Sequence, residues 1–202
     1  MLLDEEGNEL QGMAEGLLAI KYPWPAMART INNDHRRYCQ TYFADGYYRT
    51  GDGAKRDADG DYWLCGRIDD VLNVAGHRLG TAEIESALMM HQALAEAAVV
   101  GFPHAIKGEG IAAFLCIKSG YQVDVALENE ITERVVNEIS AIAKPDKICW
   151  IRELPKTRSG KIMRRILRQI AAGHAQTEDD FGDLSTLTNP DLIRELLQKN
   201  RG

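Results

Sequence analysis

The 202-residue sequence predicts an α+β protein in which a β-rich segment precedes a compact α+β domain. Its first 66 residues hold short runs of strand composition separated by Gly, Pro and Asp. From about residue 70, apolar runs of strand length alternate with segments whose apolar residues recur at helical spacing. The composition, 45% hydrophobic and 27% charged, is that of a globular protein.

The β-rich segment is predicted to occupy residues 1–68. Residues 16–23 and 60–67 have strand composition, and no helix longer than about two turns is expected there. A segment of this size cannot bury a large core by itself. It is therefore interpreted as the end of a preceding β-rich domain.

The compact α+β domain is predicted over residues 69–173. Strands are expected at 71–75, 97–102, 111–118 and 147–152. The first helix is expected to begin with Thr81 as its N-cap. The second carries apolar residues at helical spacing from Leu127 to Ile142, and the third extends from about 162 to 172.

The remaining residues, 174–202, are predicted to form a C-terminal tail. Residues 174–186 are polar and are expected to be loosely held. Asn189 followed by Pro190 is a start signal, so a short helix is expected at 190–199.

Several classes of protein are excluded by composition. No apolar run approaches the roughly 20 residues that cross a bilayer, and the acidic N-terminus is unlike a signal peptide. The scattered cysteines favour reduced thiols over a zinc site or a disulfide framework; they are Cys39, Cys65, Cys116 and Cys149. A cytoplasmic protein is expected.

Charge is unevenly distributed along the chain. The net charge is −6, but residues 144–168 hold nine Lys or Arg against two acidic residues, a local excess of +7. Within this stretch, Lys156, Arg158 and Lys161 crowd the start of the third predicted helix, where cations are electrostatically disfavoured. The pattern favours a binding site for a small anion such as a nucleotide, and the alternative is a solvated basic loop. A nucleic-acid partner would need a broader basic face.

Two further stretches offer polar groups suited to a nucleotide. Asp52 stands between two glycines and is interpreted as the carboxylate of a tight turn that could accept ribose hydroxyls. A turn aspartate with only a local role is the alternative. Arg67 and Asp69 follow at the boundary between the two compositions, where a solvated linker would look the same.

Taken together, three motifs resemble successive motifs of the adenylate-forming enzymes. They are Y-R-T-G-D-x-A from Tyr48, G-R-x-D-D-x-x-N-V-x-G-H-R-L from Gly66, and L-P-K-T-R-S-G-K-x-x-R-R from Leu154. Asn73 and His77, with the GTAEIESAL and KIMRRILRQIAAG stretches, make the resemblance specific to the acetyl-CoA synthetase branch. The resemblance covers essentially the whole chain. It implies that residues 1–68 end the N-terminal adenylation domain and that 69–173 form the mobile C-terminal domain.

The resemblance also implies roles for individual residues, which motif matching alone supplies. ATP would be contacted by Asp52, Arg67 and Arg78. CoA would be contacted by the backbone of Ala75 and Gly76. Asp69 would be the hinge between the two domains. Lys161 would be the catalytic lysine of adenylation and a site of acetylation by a lysine acetyltransferase, reversed by a deacetylase. Magnesium would be held by His91 with the carbonyls of Met89 and Leu94. An equally acceptable interpretation makes His91 part of the apolar face of its helix.

The implied activity is the ATP-dependent conversion of acetate and CoA to acetyl-CoA, AMP and pyrophosphate. The family's phosphate loop and acyl pocket have no counterpart in these residues, so the chain is expected to be a C-terminal part that is inactive alone. Val136 stands where the family often has an arginine for CoA. Propionate–CoA ligase is the alternative enzyme, and a nucleotide- or protein-binding module regulated by lysine acetylation is the alternative of another class.

Overall fold

The computed structural model describes residues 1–199, and it divides into two compact units, Met1–Val71 and Leu72–Gly202. We call these unit 1 and unit 2. The predicted α+β class is confirmed: within residues 1–199, five helices accompany two five-stranded sheets. None of the helices within residues 1–199 is both long and apolar enough to cross a bilayer.

Unit 1 is built on an antiparallel sheet. Its strands, in the spatial order β2-β1-β3-β4-β5, are β1 (Leu2–Leu3), β2 (Glu9–Leu10), β3 (Ala14–Ile20), β4 (Tyr48–Arg56) and β5 (Tyr62–Arg67). The helix α1 (His35–Tyr42) begins after Asp34, whose carboxylate accepts a hydrogen bond from the Arg37 amide at 3.0 Å. This side-chain cap satisfies one of the free amides of the first turn.

Unit 2 contains the longer strands and the remaining helices. Its strands are β6 (Val71–Val74), β7 (His77–Gly80), β8 (Leu94–His104), β9 (Gly108–Ile117) and β10 (Lys147–Trp150). The central strand β9 pairs antiparallel with β8 and parallel with β10, and its first residue lies opposite the last of β6. The helices are α2 (Thr81–Met89), α3 (Val125–Glu138), α4 (Arg164–Ala171) and α5 (Asp191–Lys199).

The β9 strand separates two hydrophobic cores. Its side chains alternate, so Phe114 lies in a core with α4 and α5 while Leu115 lies in a core with α2 and α3. Successive side chains of a strand point to opposite faces of the sheet. Both residues are fully buried. A sheet covered by helices on both faces follows from this alternation.

The boundaries of two predicted elements were wrong. Thr81 does not cap α2, since the N-cap is Gly80, no side chain caps that end, and Thr81 is buried. The helix expected from 162 begins instead at Arg164, because Ile162 forms a β-bridge with Lys156. Residues 156–162 are therefore a hairpin, not a helix start.

The expectation of a loosely held stretch at 174–186 was also wrong. Phe181 is fully buried, and it packs in the same core as α4 and α5. The Thr177 and Asp180 side chains form a reciprocal capping box around the short 3-10 helix Glu178–Phe181. The predicted terminal helix is present as α5, and residues 200–202 of the predicted tail lie outside the described residues.

Candidate functional site

The hairpin at 156–162 carries Lys161 near its tip. The Thr157 amide donates to the Lys161 carbonyl at 2.8 Å, and the Gly160 amide donates to the Thr157 carbonyl at 2.8 Å. Gly160 has a φ of +83°, which L-residues with a side chain rarely adopt. The Lys161 amide is satisfied by the Thr157 hydroxyl at 3.2 Å. The conformation of the hairpin around Lys161 is thus set by its own hydrogen bonds.

The three cations of this hairpin have different surroundings. The Lys156 ammonium is 2.6 Å from a carboxylate oxygen of Glu96, so its charge is already compensated. Arg158 and Lys161 are exposed, and neither side chain has an ion-pair partner among residues 1–199. Exposed cations held on an ordered backbone can attract an anionic ligand. The anion site predicted from all three is therefore reduced to Arg158 and Lys161.

The other cations of the basic stretch include several with structural partners. One nitrogen of Arg164 lies 2.6 and 2.7 Å from the two carboxylate oxygens of Glu85, and both side chains are mostly buried. The Lys147 ammonium donates to the Ala171 carbonyl at 2.9 Å and lies over the Phe102 ring. Much of the local positive charge thus stabilises unit 2 and is not offered to a ligand.

A second exposed turn joins β6 to β7. Ala75 and Gly76 have φ values of +51° and +85°, the two positive values of a type I′ hairpin turn. A side chain at Gly76 would meet no atom within 4 Å, so the turn faces open space. The Ala75 amide donates to the carbonyl of Lys107 at 3.0 Å. The turn is thus tied to the loop between β8 and β9.

A small polar network supports that turn. The Asn73 amide donates to Glu109 at 2.7 Å, and the Lys107 ammonium is paired with Asp146. The Ile111 amide donates to the second oxygen of Asp146 at 2.9 Å. Burial by itself opposes ionisation of Asp146, but the hydrogen bonds from Lys107 and Ile111 outweigh that effect and hold its pKa below the usual range.

The candidate nucleotide residues of unit 1 lie at the ends of β4 and β5. Asp52 is directly opposite Arg67, with 3.9 Å between carboxylate and guanidinium. Arg67 also donates to Asp69 at 3.0 Å and to the Thr50 carbonyl at 3.1 Å. The interpretation of Asp52 as a turn residue was wrong, because it lies within a strand next to a register shift. Unit 1 therefore brings the three predicted residues together in one polar group.

Gly51 has a role that the sequence did not reveal. A Cβ atom there would lie 2.8 Å from the nearest guanidinium nitrogen of Arg67, and the φ of Gly51 is +80°. A side chain at position 51 would adopt an unfavourable φ and would displace the Arg67 guanidinium.

Part of unit 2 is similar to a known protein family. Residues 83–161 match the family model described as the AMP-binding enzyme C-terminal domain, and Lys161 is the last residue matched. The match covers less than half of the 202-residue chain. Residues beyond 161, including α4 and α5, lie outside that match although they share a core with β8 and β9.

Similarity to complete proteins extends over nearly the whole chain. It is 56% identical over 200 residues to the acetyl-coenzyme A synthetase of Saccharophagus degradans and 57% identical over 199 residues to that of Syntrophus aciditrophicus. Each match covers 98% of this chain, which spans about 30% of the length of those relatives. The resemblance to the acetyl-CoA synthetase branch of the adenylate-forming enzymes is confirmed.

Solved structures agree with this placement. The anthranilate CoA ligase AuaEII, solved with anthranoyl-AMP, matches with a TM-score of 0.73 at 33% identity, over 85% of this chain and 33% of that one. The acetoacetyl-CoA synthetase from Streptomyces lividans matches with a TM-score of 0.81 over 99% of this chain and 30% of that one. At 24% identity, the second likeness supports the fold alone.

The stretch that matches this family model, 83–161, also contains the predicted magnesium ligands. The His91 imidazole is buried; one nitrogen lies 3.3 Å from Glu130 and the other 3.3 Å from the Ala93 amide. Within residues 1–199, no group of three or more His, Cys, Asp and Glu could hold a metal ion. Both ring nitrogens of His91 thus have polar neighbours, and the magnesium site with the Met89 and Leu94 carbonyls stays a prediction.

The remaining candidates lie on separate elements. Arg78 is exposed on β7, two residues after Gly76, and Val136 is half-buried near the end of α3. Sequence reasoning missed Glu96 and Thr188, which contact Lys156, and Asp146, which supports the Lys107 loop. One signal was available in the sequence: the apolar residues Phe181, Leu184 and Leu187 recur every third residue. This spacing suggests that the tail packs on the core, which would bring the neighbouring Thr188 close to it.

Proposed function

We propose that this chain supplies the adenylation lysine of an AMP-forming acetate–CoA ligase. The observation that carries the proposal is the exposed Lys161 ammonium, unpaired among residues 1–199, on a hairpin that closes the matched AMP-binding enzyme C-terminal domain. The names of the relatives support acetate as the acid. Because the chain spans about 30% of their length, the complete reaction needs further residues.

The proposed reaction has two halves. Acetate attacks the α-phosphate of ATP, giving acetyl-AMP and pyrophosphate; the CoA thiol then attacks the acyl carbon, giving acetyl-CoA and AMP. In the first half, the Lys161 ammonium would bridge the acetate carboxylate and the α-phosphate. A cation there neutralises the repulsion between two anions and orients them, and both effects lower the barrier.

ATP would be oriented by the polar group of unit 1. The Asp52 carboxylate is about one-third exposed, which supports its proposed role as acceptor of the ribose hydroxyls. Arg67 would contact the nucleotide and Arg78 a phosphate. Mg²⁺ would accompany ATP and screen its phosphates.

CoA would approach the Ala75–Gly76 turn. The open space around Gly76 supports this role, because a pantetheine chain needs close access to backbone. Rotation about Asp69 would then exchange the Lys161 hairpin for the turn at a common reaction centre. Val136 offers no charge for the CoA phosphate, so that contact would come from another residue.

Regulation by acetylation of Lys161 is part of the same proposal. Its exposed ammonium would be accessible to an acetyltransferase and, once acetylated, to a deacetylase. Acetylation removes the charge that the first half-reaction needs. The four cysteines are free, which supports a reducing compartment such as the cytoplasm.

The proposal is tested with a chimera in which this chain replaces the matching 200 residues of the Saccharophagus degradans enzyme. We expect Lys161→Ala to reduce acetate-dependent ATP–pyrophosphate exchange at least 100-fold, on the order of one lost electrostatic contact. Conversion of supplied acetyl-AMP and CoA to acetyl-CoA should stay near the unsubstituted rate. Lys118→Ala, an exposed lysine on the same domain, is the matched control. Equal loss of both half-reactions in Lys161→Ala would contradict the assignment.

A further inference from the structure

We propose that the segment Thr186–Asn189 is a brace that positions the Lys161 hairpin for adenylation. The inference deepens the proposed function and rests on it for its catalytic part. The segment lies 25 residues beyond the end of the matched family domain at residue 161. The brace residues are thus positioning residues, acting through the hairpin.

The brace pairs with the first strand of the hairpin. Thr157 and Leu187 form an antiparallel β-bridge. The Arg158 amide donates to the Thr186 carbonyl at 3.2 Å, and the Thr188 amide donates to the Lys156 carbonyl at 2.9 Å. The same carbonyl accepts a second bond from the Thr188 hydroxyl at 3.0 Å. The hairpin thereby gains a third strand-like partner.

The brace is itself anchored in the core of unit 2. Leu187 is 4% exposed and Leu192, on the helix that follows, is 1% exposed. Both pack in the core that contains Phe114 of β9. The Asn189 amide group donates to Glu153, just before the hairpin. A segment that is anchored by buried apolar side chains can hold the hairpin in a fixed position relative to the core.

Other contacts also reach the hairpin, since Ile162 and Met163 pack against the same core. The Met163 amide bonds to the Pro155 carbonyl, which only closes the hairpin on itself. The Lys156–Glu96 ion pair is about one-third exposed, so solvent screens it. A cleft of about 310 Å³ beside the bridge is lined by Thr157, Arg158 and Thr188 among others. The brace itself consists of one β-bridge and a few hydrogen bonds, and a single substitution can weaken it.

The chain offers a matched pair of substitutions. Thr188→Val removes the hydroxyl that bonds to Lys156 and preserves the shape of the side chain. Thr186→Val makes the same change two residues earlier, where the hydroxyl has no hydrogen-bond partner within residues 1–199 and the residue is exposed. Any effect of the isosteric change itself should be common to both variants.

The first measurement is amide hydrogen exchange on the chain itself, without substrates. We expect Thr188→Val to speed exchange at the amides of Thr157, Gly160 and Lys161 about fivefold, as for the loss of one typical hydrogen bond. Thr186→Val should leave these amides unchanged. Unchanged exchange rates in Thr188→Val would contradict the proposal that this segment braces the hairpin, whatever the function of the chain.

The second measurement uses the chimera. We expect Thr188→Val to lower kcat for acetyl-AMP formation about fivefold with little change in KM for ATP, and to spare the conversion of acetyl-AMP. Faster exchange with normal adenylation, in a chimera where Lys161→Ala is still inactive, would overturn the positioning role and leave the proposed function intact. If Lys161→Ala keeps adenylation, the proposed function fails and the positioning role fails with it, while the exchange result stands by itself.

Discussion

The Lys161 hairpin and the Ala75–Gly76 turn are both tight reversals with a glycine at positive φ, +83° at Gly160 and +85° at Gly76. They differ in what supports them. The turn is tied to the β8–β9 loop through the Lys107 carbonyl, and Lys107 is paired with Asp146, which directly precedes β10. The hairpin is supported by a segment that follows α4. The two proposed half-reactions thus depend on different supporting contacts, and they should be separable by mutation.

The largest effect that tests this comparison is expected for Gly76→Ala in the chimera. A side chain there meets no atom, so its cost is conformational, about 1–2 kcal/mol for a residue at positive φ. We expect acetyl-CoA formation from acetyl-AMP to fall about tenfold while ATP–pyrophosphate exchange is kept. Gly120→Ala imposes the same kind of strain at φ +93°, also in open space, in the loop before α3. Similar losses of the second half-reaction in both variants would show a general effect of stability.

Acid should weaken the support of the turn. The pKa of Asp146 is lowered in the folded state, so its contribution is fully present above its unfolded pKa of about 3.9 and is lost as the pH falls through the folded pKa. Asp146→Asn should lower the free energy of unfolding by about 1 kcal/mol at pH 7. The difference from the unsubstituted chain should shrink below about pH 4.

Urea unfolding between pH 3 and pH 8 measures this difference. Asp179→Asn, at an exposed tail residue, is the control and should change stability by less than about 0.5 kcal/mol. A loss in Asp146→Asn that is the same at pH 3 and pH 7 would show that its ionisation does not support the loop.

Local patterns in the sequence were enough for the strands and helices of unit 2, but not for the contacts that hold the two turns. The apolar run at Ile111–Cys116 predicts a buried strand. In the structure every side chain in this run is buried, on one face of the sheet or the other. The Lys156 partners, Glu96 and Thr188, lie 60 and 32 residues away, and no local pattern encodes such pairings. The predicted helix start was too early because Ile162 and Ile166 have helical spacing. In the structure Ile162 pairs with Lys156 in a β-bridge, so the helix begins after it.

The same limit applies to the candidate site. Motifs alone selected Asp52, Arg67 and Asp69, and the structure brings them within one polar group. The flanking glycines of Asp52 suggested a turn, but in the structure the Arg67 guanidinium occupies the space beside Gly51. A glycine pattern shows where a side chain is excluded, and only the fold shows what occupies the space.

The smallest expected effect concerns Ala75. With φ at +51° it is strained by about 1–2 kcal/mol, and Ala75→Gly would relieve this at an entropic cost of about 0.5–1 kcal/mol. The free energy of unfolding should rise by less than about 1 kcal/mol, measured by thermal melting. A fall in melting temperature would show that the Ala75 side chain is needed for packing.

The pairing of Thr186–Thr188 with Lys156–Arg158 has a consequence for biosynthesis. The brace is made 30 residues after the strand that it holds, which at about 5–20 residues per second is a delay of about 2–6 s. During that interval β8, β9 and β10 already exist, but the hairpin has no third strand. A nascent chain would therefore acquire its sheet before it acquires a fixed Lys161. A premature stop between residues 162 and 186 would release a protein that has the lysine but lacks the contacts that position it.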